Sequence, residues 1–463
     1  MRSPKARRGA AAIAVLASAS LLLAACGGSS GGTSSAGGKA PGLSKAACAP
    51  IKTIMTQYGD LTGKTVHVYT SIVAPEDQAQ KDSYKLFETC TGAAVQYEGS
   101  KEFEAQLVVR VKSGNPPDIA YVPQPGLLNT LVTDTGKVVE APKEVAANVD
   151  KWWGKDWKGY GTVDGKFYAA PLGANVKSFV WYSPKMFAAK GWKVPTTWDE
   201  MLQLSDTIAA SGIKPWCAGI GSGEATGWPA TDWLEDAVLR DDGPDVYDQW
   251  IKHTIPFNDP KIAAALDRVG NILKNPKYVN AGIGDVKSIA TTTFQDGGLG
   301  IASGKCAMHR QASFYANFFP KGTKVEEGGK VFAFYLPTTK EDFGKPVLGG
   351  GEFIAAFSDK PEVQAFQTYL SSDVWANEKA KATPSGGWVS ANKGLDVNNL
   401  VSPVDKLAGE ILQDPAAVFR FDGSDLMPAA VGAGSFWKES TAWITGESTK
   451  AALDKIEKSW PKS

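Results

Sequence analysis

Three histidines, His67, His253 and His309, lie far apart, with no HExxH or CxxC spacing anywhere, so no metal centre and no cofactor is expected. Gly27-Gly28-Ser29-Ser30-Gly31 has the spacing of a nucleophile elbow, but no strand-to-helix turn surrounds it and the match is low-complexity coincidence. Gly32 to Lys39 approaches a phosphate loop, with the spacing off by one and Ala40 where Ser or Thr is required. The aromatic side chains are more telling: 15 Trp, 13 Tyr and 19 Phe. Most fill a core. Trp228 in WPATDWLED and Trp388 in SGGWVS are harder to bury completely, and a flat aromatic face suits a flat apolar ligand face.

Cys26 has its own chemistry. Arg2, Lys5, Arg7 and Arg8 form a basic start, and an uncharged Ala/Leu-rich stretch runs from Ala10 to Ala25. Those flanks predict a secretory leader over residues 1–25, too short and alanine-heavy for a permanent span of ~20 apolar residues. Leu23-Ala24-Ala25-Cys26 resembles the bacterial lipobox, in which the cysteine becomes the new N-terminus and carries a diacylglycerol thioether. Two or more acyl chains anchor a protein durably where one does not. The Gly/Ser run after Cys26 reads as a flexible spacer, and residues 26–59 as a tether plus an N-terminal segment. The chain is therefore expected outside the cytoplasm, anchored to the outer face of the cell membrane. In that compartment the even count of Cys48, Cys90, Cys217 and Cys306 favours two disulfides, with three pairings open.

Without its leader the 463-residue chain is long enough for two or three domains with full cores. Its 49 basic and 49 acidic residues balance, which suggests no nucleic-acid or polyanion partner. KTVHVYTS, AAVQYEG and PDIAYVP read as strands. Between them PEDQAQKDSYKLFETCTG reads as one helix stopped by Gly92, and KEFEAQLVVRVKSG as another with Phe103, Leu107 and Val111 on one stripe. Strand–helix–strand–helix–strand means a parallel sheet covered by helices, with ligands bound beyond the carboxyl ends of strands. Those ends are Thr70-Ser71 and Pro123-Gln124-Pro125-Gly126. Farther on, Thr197 and Glu200 form a capping box, Gly212 ends that helix, and KVFAFYLP is a strand. Pro361 opens another helix, and the tail from Asp414 is punctuated by Pro and Asp before turning helical.

DGKFYAAPL, VWYSPKMF, GWKVPTTWDEM, FQDGGLGIASGKCAMHRQASF and GEFIAAF, in that order, resemble the successive signatures of carbohydrate-binding extracellular solute-binding subunits of ABC importers. The resemblance covers nearly all of the chain after Lys64. VYTSIVAPEDQ, YEGSKEFEAQLVVRV, PQPGLL and FRFDGSDLMPAAVG are similar to the α-glucoside-binding branch. Where the broad family often has Gly-Pro-Trp, this chain has Ala312-Ser313-Phe314. The resemblance implies an α/β, two-lobed, class II periplasmic-binding-protein-like fold with the ligand cleft between lobes. Matched crossings fall near Pro171-Leu172, Leu336-Pro337 and Thr383-Pro384, giving lobe one 60–172 plus 338–384 and lobe two 173–337 plus 385–463. On that division Cys48–Cys90 and Cys217–Cys306 are the expected bridges, since each stays within a lobe and leaves the hinge free. The implied function is capture of an α-glucoside, such as a maltose-, trehalose- or sucrose-like sugar, by a monomer. That monomer delivers it to a permease heterodimer driven by a cytoplasmic ATPase and performs no catalysis. The alternatives are a lipid-anchored glycoside hydrolase, which needs two carboxylates such as Glu352 and Asp425 across a sugar, and a sugar-sensing lipoprotein.

A sugar site needs planar hydrogen-bonding groups for hydroxyls and an aromatic for C–H faces. Gln124, Thr70 and Ser71 qualify by their place at strand ends. Asn175 and Lys177 follow a matched crossing, and Arg310 and Gln311 follow a strand that the family places at the cleft. Gly350 and Gly351 permit close backbone approach, beside Glu352. Trp228 and Trp388 are the loop aromatics, Phe314 the family-position one, and Asp422 and Asp425 offer carboxylates.

Overall fold

The computed structural model describes residues 47–280 and 285–462. The leader, the lipobox with Cys26 and the Gly/Ser spacer lie outside the described residues. Residues 49–58, expected as a segment ahead of lobe one, are helical, and Ile51 and Ile54 are buried in its core.

A first five-stranded sheet has the order Ala94–Gly99, Thr65–Thr70, Ile119–Val122, Phe353–Ala356, Ala169–Pro171. Its first three strands are parallel, with Thr70 opposite Gly99 and Tyr121, and Phe353–Ala356 runs antiparallel to both neighbours. Helix Phe103–Lys112 buries Phe103, Leu107 and Val111 against this sheet. A second sheet has the order Val279–Asn280, Lys214–Cys217, Cys306–Arg310, Phe179–Tyr182, Phe332–Tyr335 and carries a separate core around Trp181, Trp216 and Trp250. Ala417–Phe421, Lys345–Gly350 and Asn175–Val176 form a third, three-stranded sheet.

The chain passes from the first core to the second between Ala174 and Val176. It does not return at Leu336–Pro337. Thr339 Oγ1 donates to the Arg240 carbonyl, and Lys345–Gly350 pairs in parallel with Ala417–Phe421, with Val347 and Leu348 in the second core. Residues 338–350, expected in lobe one, therefore belong with the second core, and the return falls at Gly350–Phe353. Phe421, expected in lobe two, reaches the first core.

The expected helix over 75–92 is two helices, Asp77–Ser83 and Lys85–Thr91. At Tyr84 the backbone N–H reaches Lys81, three residues back, while the Tyr84 hydroxyl pairs with that of Tyr121 at 2.8 Å. A buried tertiary contact outweighs a continuous helical ladder there. Gly92 caps the second helix in the left-handed conformation. The capping box of Thr197 and Glu200 is present, with the Glu200 N–H donating to Thr197 Oγ1 at 3.2 Å. Disulfides join Cys48 to Cys90, which packs against the first core, and Cys217 to Cys306 within the second. The stretch after Asp414, expected to be punctuated by Pro and Asp before turning helical, contains the strand Ala417–Phe421. Among the described residues no helix is long and apolar enough to cross a membrane.

Candidate functional site

A cavity lies between the two cores, and both contribute to its lining. On the first side Gln124 precedes Pro125 at the end of strand Ile119–Val122 and starts helix Pro125–Thr135. Its Nε2 donates to Glu104 Oε1 at 3.1 Å, which fixes the amide, and its buried Oε1 is left with no protein donor. Asn175 Oδ1, from the crossing strand, also has none. A buried oxygen without a donor is costly unless something supplies one. Both residues line the cavity, although the two oxygens themselves are buried.

The floor is a network of charges. Lys177 Nζ donates to Asp232 Oδ1 at 2.9 Å and to Asp422. Burial opposes the lysine charge, but Asp232 and Asp422 outweigh it and hold its pKa well above the usual lysine value. Asp232, Glu235 and Asp422 bring carboxylate oxygens within 4.8 Å of one another, and the Lys177 ammonium supplies neutralising charge to two of them. Burial, reinforced by repulsion from Asp422, pushes Glu235 and Asp425 well above the usual carboxylate range.

A second ionisable group in the lining comprises the half-buried Glu76 and Glu352 and the buried Lys379. Burial and repulsion from Glu352 push Glu76 up to about 8, against the pull of Lys379 and a hydrogen bond from Asn317. Burial raises Glu352 as well, Lys379 and Lys177 opposing. Lys379 is pushed down to about 8 by burial despite Glu76, Asp405 and Glu352 around it. Gly351 lies where the two crossing segments meet; a Cβ there would collide with the Gly173 carbonyl.

Aromatic rings complete the lining. Trp228, the first residue of helix Trp228–Asp241, meets Phe294 edge-on at 5.0 Å and Phe314 at 6.2 Å. Lys177 Nζ stands 5.2 Å from the Trp228 ring. Trp388 meets the buried Trp375 edge-on at 5.7 Å and lines the same cavity.

Ser71, Gln124, Asn175, Lys177, Trp228, Phe314, Gly350, Gly351, Glu352, Trp388, Asp422 and Asp425 thus line one cavity. Thr70, Arg310 and Gln311 do not. Thr70 Oγ1 is buried and accepts the Ile72 N–H at 3.2 Å, which turns the chain after the strand. Arg310 is covered by helix Trp228–Asp241, donating to Asp232 Oδ2 at 3.2 Å and to Asp236 Oδ2 at 2.5 Å. Gln311 Oε1 accepts the Ala312 N–H at 2.8 Å. Arg310 and Gln311 sit behind the floor because strand Cys306–Arg310 is central in its sheet and its end is roofed by acids one helical turn apart.

Glu76, Glu104, Lys101, Phe294, Asn317 and Lys379 line the cavity without having been singled out. Glu76 had a signal, since it follows Pro75 in the loop after the first strand end. Lys379, in helix Asp373–Lys381 among other charges, had none.

The sequence of residues 70–377 matches the family described as bacterial extracellular solute-binding protein. Over 412 residues the chain is 38% identical to the osmoprotective compounds-binding protein GgtB of Synechocystis sp., covering 87% of this chain and 94% of the relative. It is 37% identical over 421 residues to the alpha-glucosides-binding periplasmic protein AglE of Rhizobium meliloti, covering 87% and 88%. A solved chitin oligosaccharide binding protein superposes with a TM-score of 0.71 at 19% identity, over 85% of this chain and 97% of that one, a likeness of fold. Two lobes of the solute-binding architecture, a cavity between their cores and an unbroken family match across most of the chain lead to one assignment: the protein belongs to the bacterial extracellular solute-binding protein family.

Proposed function

We propose that this protein captures an α-linked glucoside in the cavity and passes it, chemically unchanged, to the permease heterodimer of an ABC importer. The observation that carries this reading is one cavity lined by the amides Gln124 and Asn175, each with an oxygen that has no protein donor, together with Trp228 and Trp388. A sugar ring offers hydroxyl donors at its rim and apolar C–H faces above and below. Amides and indoles in one lining match both requirements together. The α-glucoside class is supported by the name of the Rhizobium meliloti relative. Lobe one, in this reading, supplies Ser71 and Gln124, and lobe two Lys177, Trp228, Phe314, Asp422 and Asp425. Asn175, Gly350, Gly351, Glu352 and Trp388 lie on the segments between. The protein works outside the cytoplasm as a monomer, held to the outer face of the membrane by lipid on Cys26 after removal of residues 1–25.

Titration calorimetry of the purified protein with maltose, trehalose and sucrose tests the reading. Micromolar or tighter binding of at least one, with no glucose released on incubation, is expected. Binding of none of them, or tight binding of an amino acid or peptide instead, overturns it. Glucose release would move the protein to the hydrolases.

A further inference from the structure

We propose that Asp405 is a positioning residue for ligand capture, its buried carboxylate holding the Trp388 loop in the attitude that presents the indole to the cavity. The inference rests on the reading of Trp388 as a stacking platform. Trp388 stands in neither a helix nor a strand, so no regular ladder fixes its backbone. The two residues ahead of it, Gly386 and Gly387, have φ of +80° and +98°. Other residues adopt such angles rarely, and at Gly387 a Cβ would also collide with the Asn317 amide. A loop built from so permissive a pair needs an external restraint to hold one conformation.

Asp405 supplies it from the first turn of helix Pro403–Gln413. It is 1% exposed and does not line the cavity. Oδ1 accepts the Gly387 N–H at 2.8 Å and Oδ2 faces the Trp388 N–H at 3.5 Å. Two successive amides aimed at one carboxylate restrain the peptide planes on both sides of Gly387, and the second of these orients the backbone from which the Trp388 side chain leaves. The rest of the loop is pinned at its ends. Lys379 Nζ donates to Thr383 Oγ1 at 3.0 Å and lies 5.5 Å from the Trp388 ring, and the Ala174 N–H donates to the Val389 carbonyl at 3.0 Å. Hydrogen bonds to an ionised group are roughly twice as strong as neutral ones, so a carboxylate holds the pair of amides better than an amide side chain would. Burial pushes the Asp405 carboxyl up to about 7, with Lys379 as the charge that draws it back.

A double-mutant cycle separates positioning from general stability. Affinities for maltose, trehalose and sucrose are measured by calorimetry at pH 8 for wild type, Asp405→Asn, Trp388→Ala and the double variant. Melting of each unliganded protein is recorded alongside, and the tightest sugar is carried forward. Trp388→Ala is expected to bind about thirtyfold more weakly. Asp405→Asn should lose about tenfold in the wild-type background and less than about twofold beside Trp388→Ala, because the carboxylate acts through the indole. Asp405→Ser, smaller and equally neutral, should repeat the pattern if the amide variant folds poorly. Wild-type affinity in Asp405→Asn, or the same factor lost in both backgrounds, overturns the inference. So does failure of both Asp405 variants to fold, which would make the carboxylate a support of the fold. If Trp388→Ala binds normally, the stacking reading fails and takes this inference with it. If Trp388→Ala is weak and Asp405→Asn normal, only the inference fails.

Discussion

At the residue scale, the side chains of the cavity fall into two energetic classes. Trp228 and Trp388 each combine a fixed aromatic neighbour with a place in the cavity lining. Truncating an anchor of that kind commonly costs ~2 kcal/mol or more, about thirtyfold in affinity. Trp228→Ala and Trp388→Ala are expected to weaken sugar binding by that factor in calorimetry while leaving the fold intact. Gln124→Ala removes one acceptor and should cost ~0.5–1.5 kcal/mol. Arg310 behaves differently. Its guanidinium is the partner of two buried aspartates, Asp232 and Asp236. Asp232 keeps Lys177 and Asp236 keeps Arg240 in Arg310→Ala, so the buried cluster loses one of its cations and the fold should be destabilised by ~3 kcal/mol or less in urea unfolding. An unchanged unfolding midpoint with lost affinity would return Arg310 to the binding surface.

At the element scale, the segment after the first strand carries Glu76, one residue ahead of helix Asp77–Ser83. Burial, with repulsion from Glu352, pushes its carboxyl up to about 8 in the folded protein from 4.5 in the unfolded chain. A folded pKa above the unfolded one adds stability that is complete below pH 4.5 and is lost as pH rises through about 8. The melting temperature of the unliganded protein should therefore fall between pH 5 and pH 8, and fall less in Glu76→Gln. Lys379 works in the opposite sense, its pKa lowered from 10.5 to about 8, so its contribution is present above 10.5 and lost as pH falls to about 8. Its window lies above that of Glu76. Equal slopes for wild type and Glu76→Gln would refute the assignment. The same segment shows the limit of periodicity. The 75–92 stretch reads as one helix because nothing local announces that Tyr84 will leave the ladder for Tyr121.

At the scale of the whole molecule, two separate cores joined by short crossings suit hinge closure, in which few residues absorb the rotation. The Cys48–Cys90 disulfide packs against the first core and Cys217–Cys306 lies in the second, so neither spans the crossings. Small-angle scattering should show a smaller radius of gyration with saturating sugar than without it, and an unchanged radius would argue against closure on the ligand. The anchoring proposal has its own test. Cys26→Ser should leave an unlipidated precursor or a released protein, and correct processing with membrane retention at high salt would sink it.

Local sequence determined a good deal here. Gly92, the Thr197–Glu200 box and the Phe103–Leu107–Val111 stripe specify helix ends and faces through interactions spanning only a few residues. Strand ends that follow a strand–helix–strand pattern pointed to Ser71 and Gln124 by topology. What only the tertiary structure decided is which polar groups face the cavity and which are paired behind it. Arg310 and Lys177 look alike as candidates, yet Arg310 is roofed by Asp232 and Asp236 from helix Trp228–Asp241 while Lys177 lines the cavity. Strand Ala417–Phe421 pairs with Lys345–Gly350, some seventy residues away, and that pairing keeps residues 338–350 with the second core. A hydrogen-bonded partner so distant leaves no trace in local pattern, because burial and pairing energies are set by neighbours that only folding brings together.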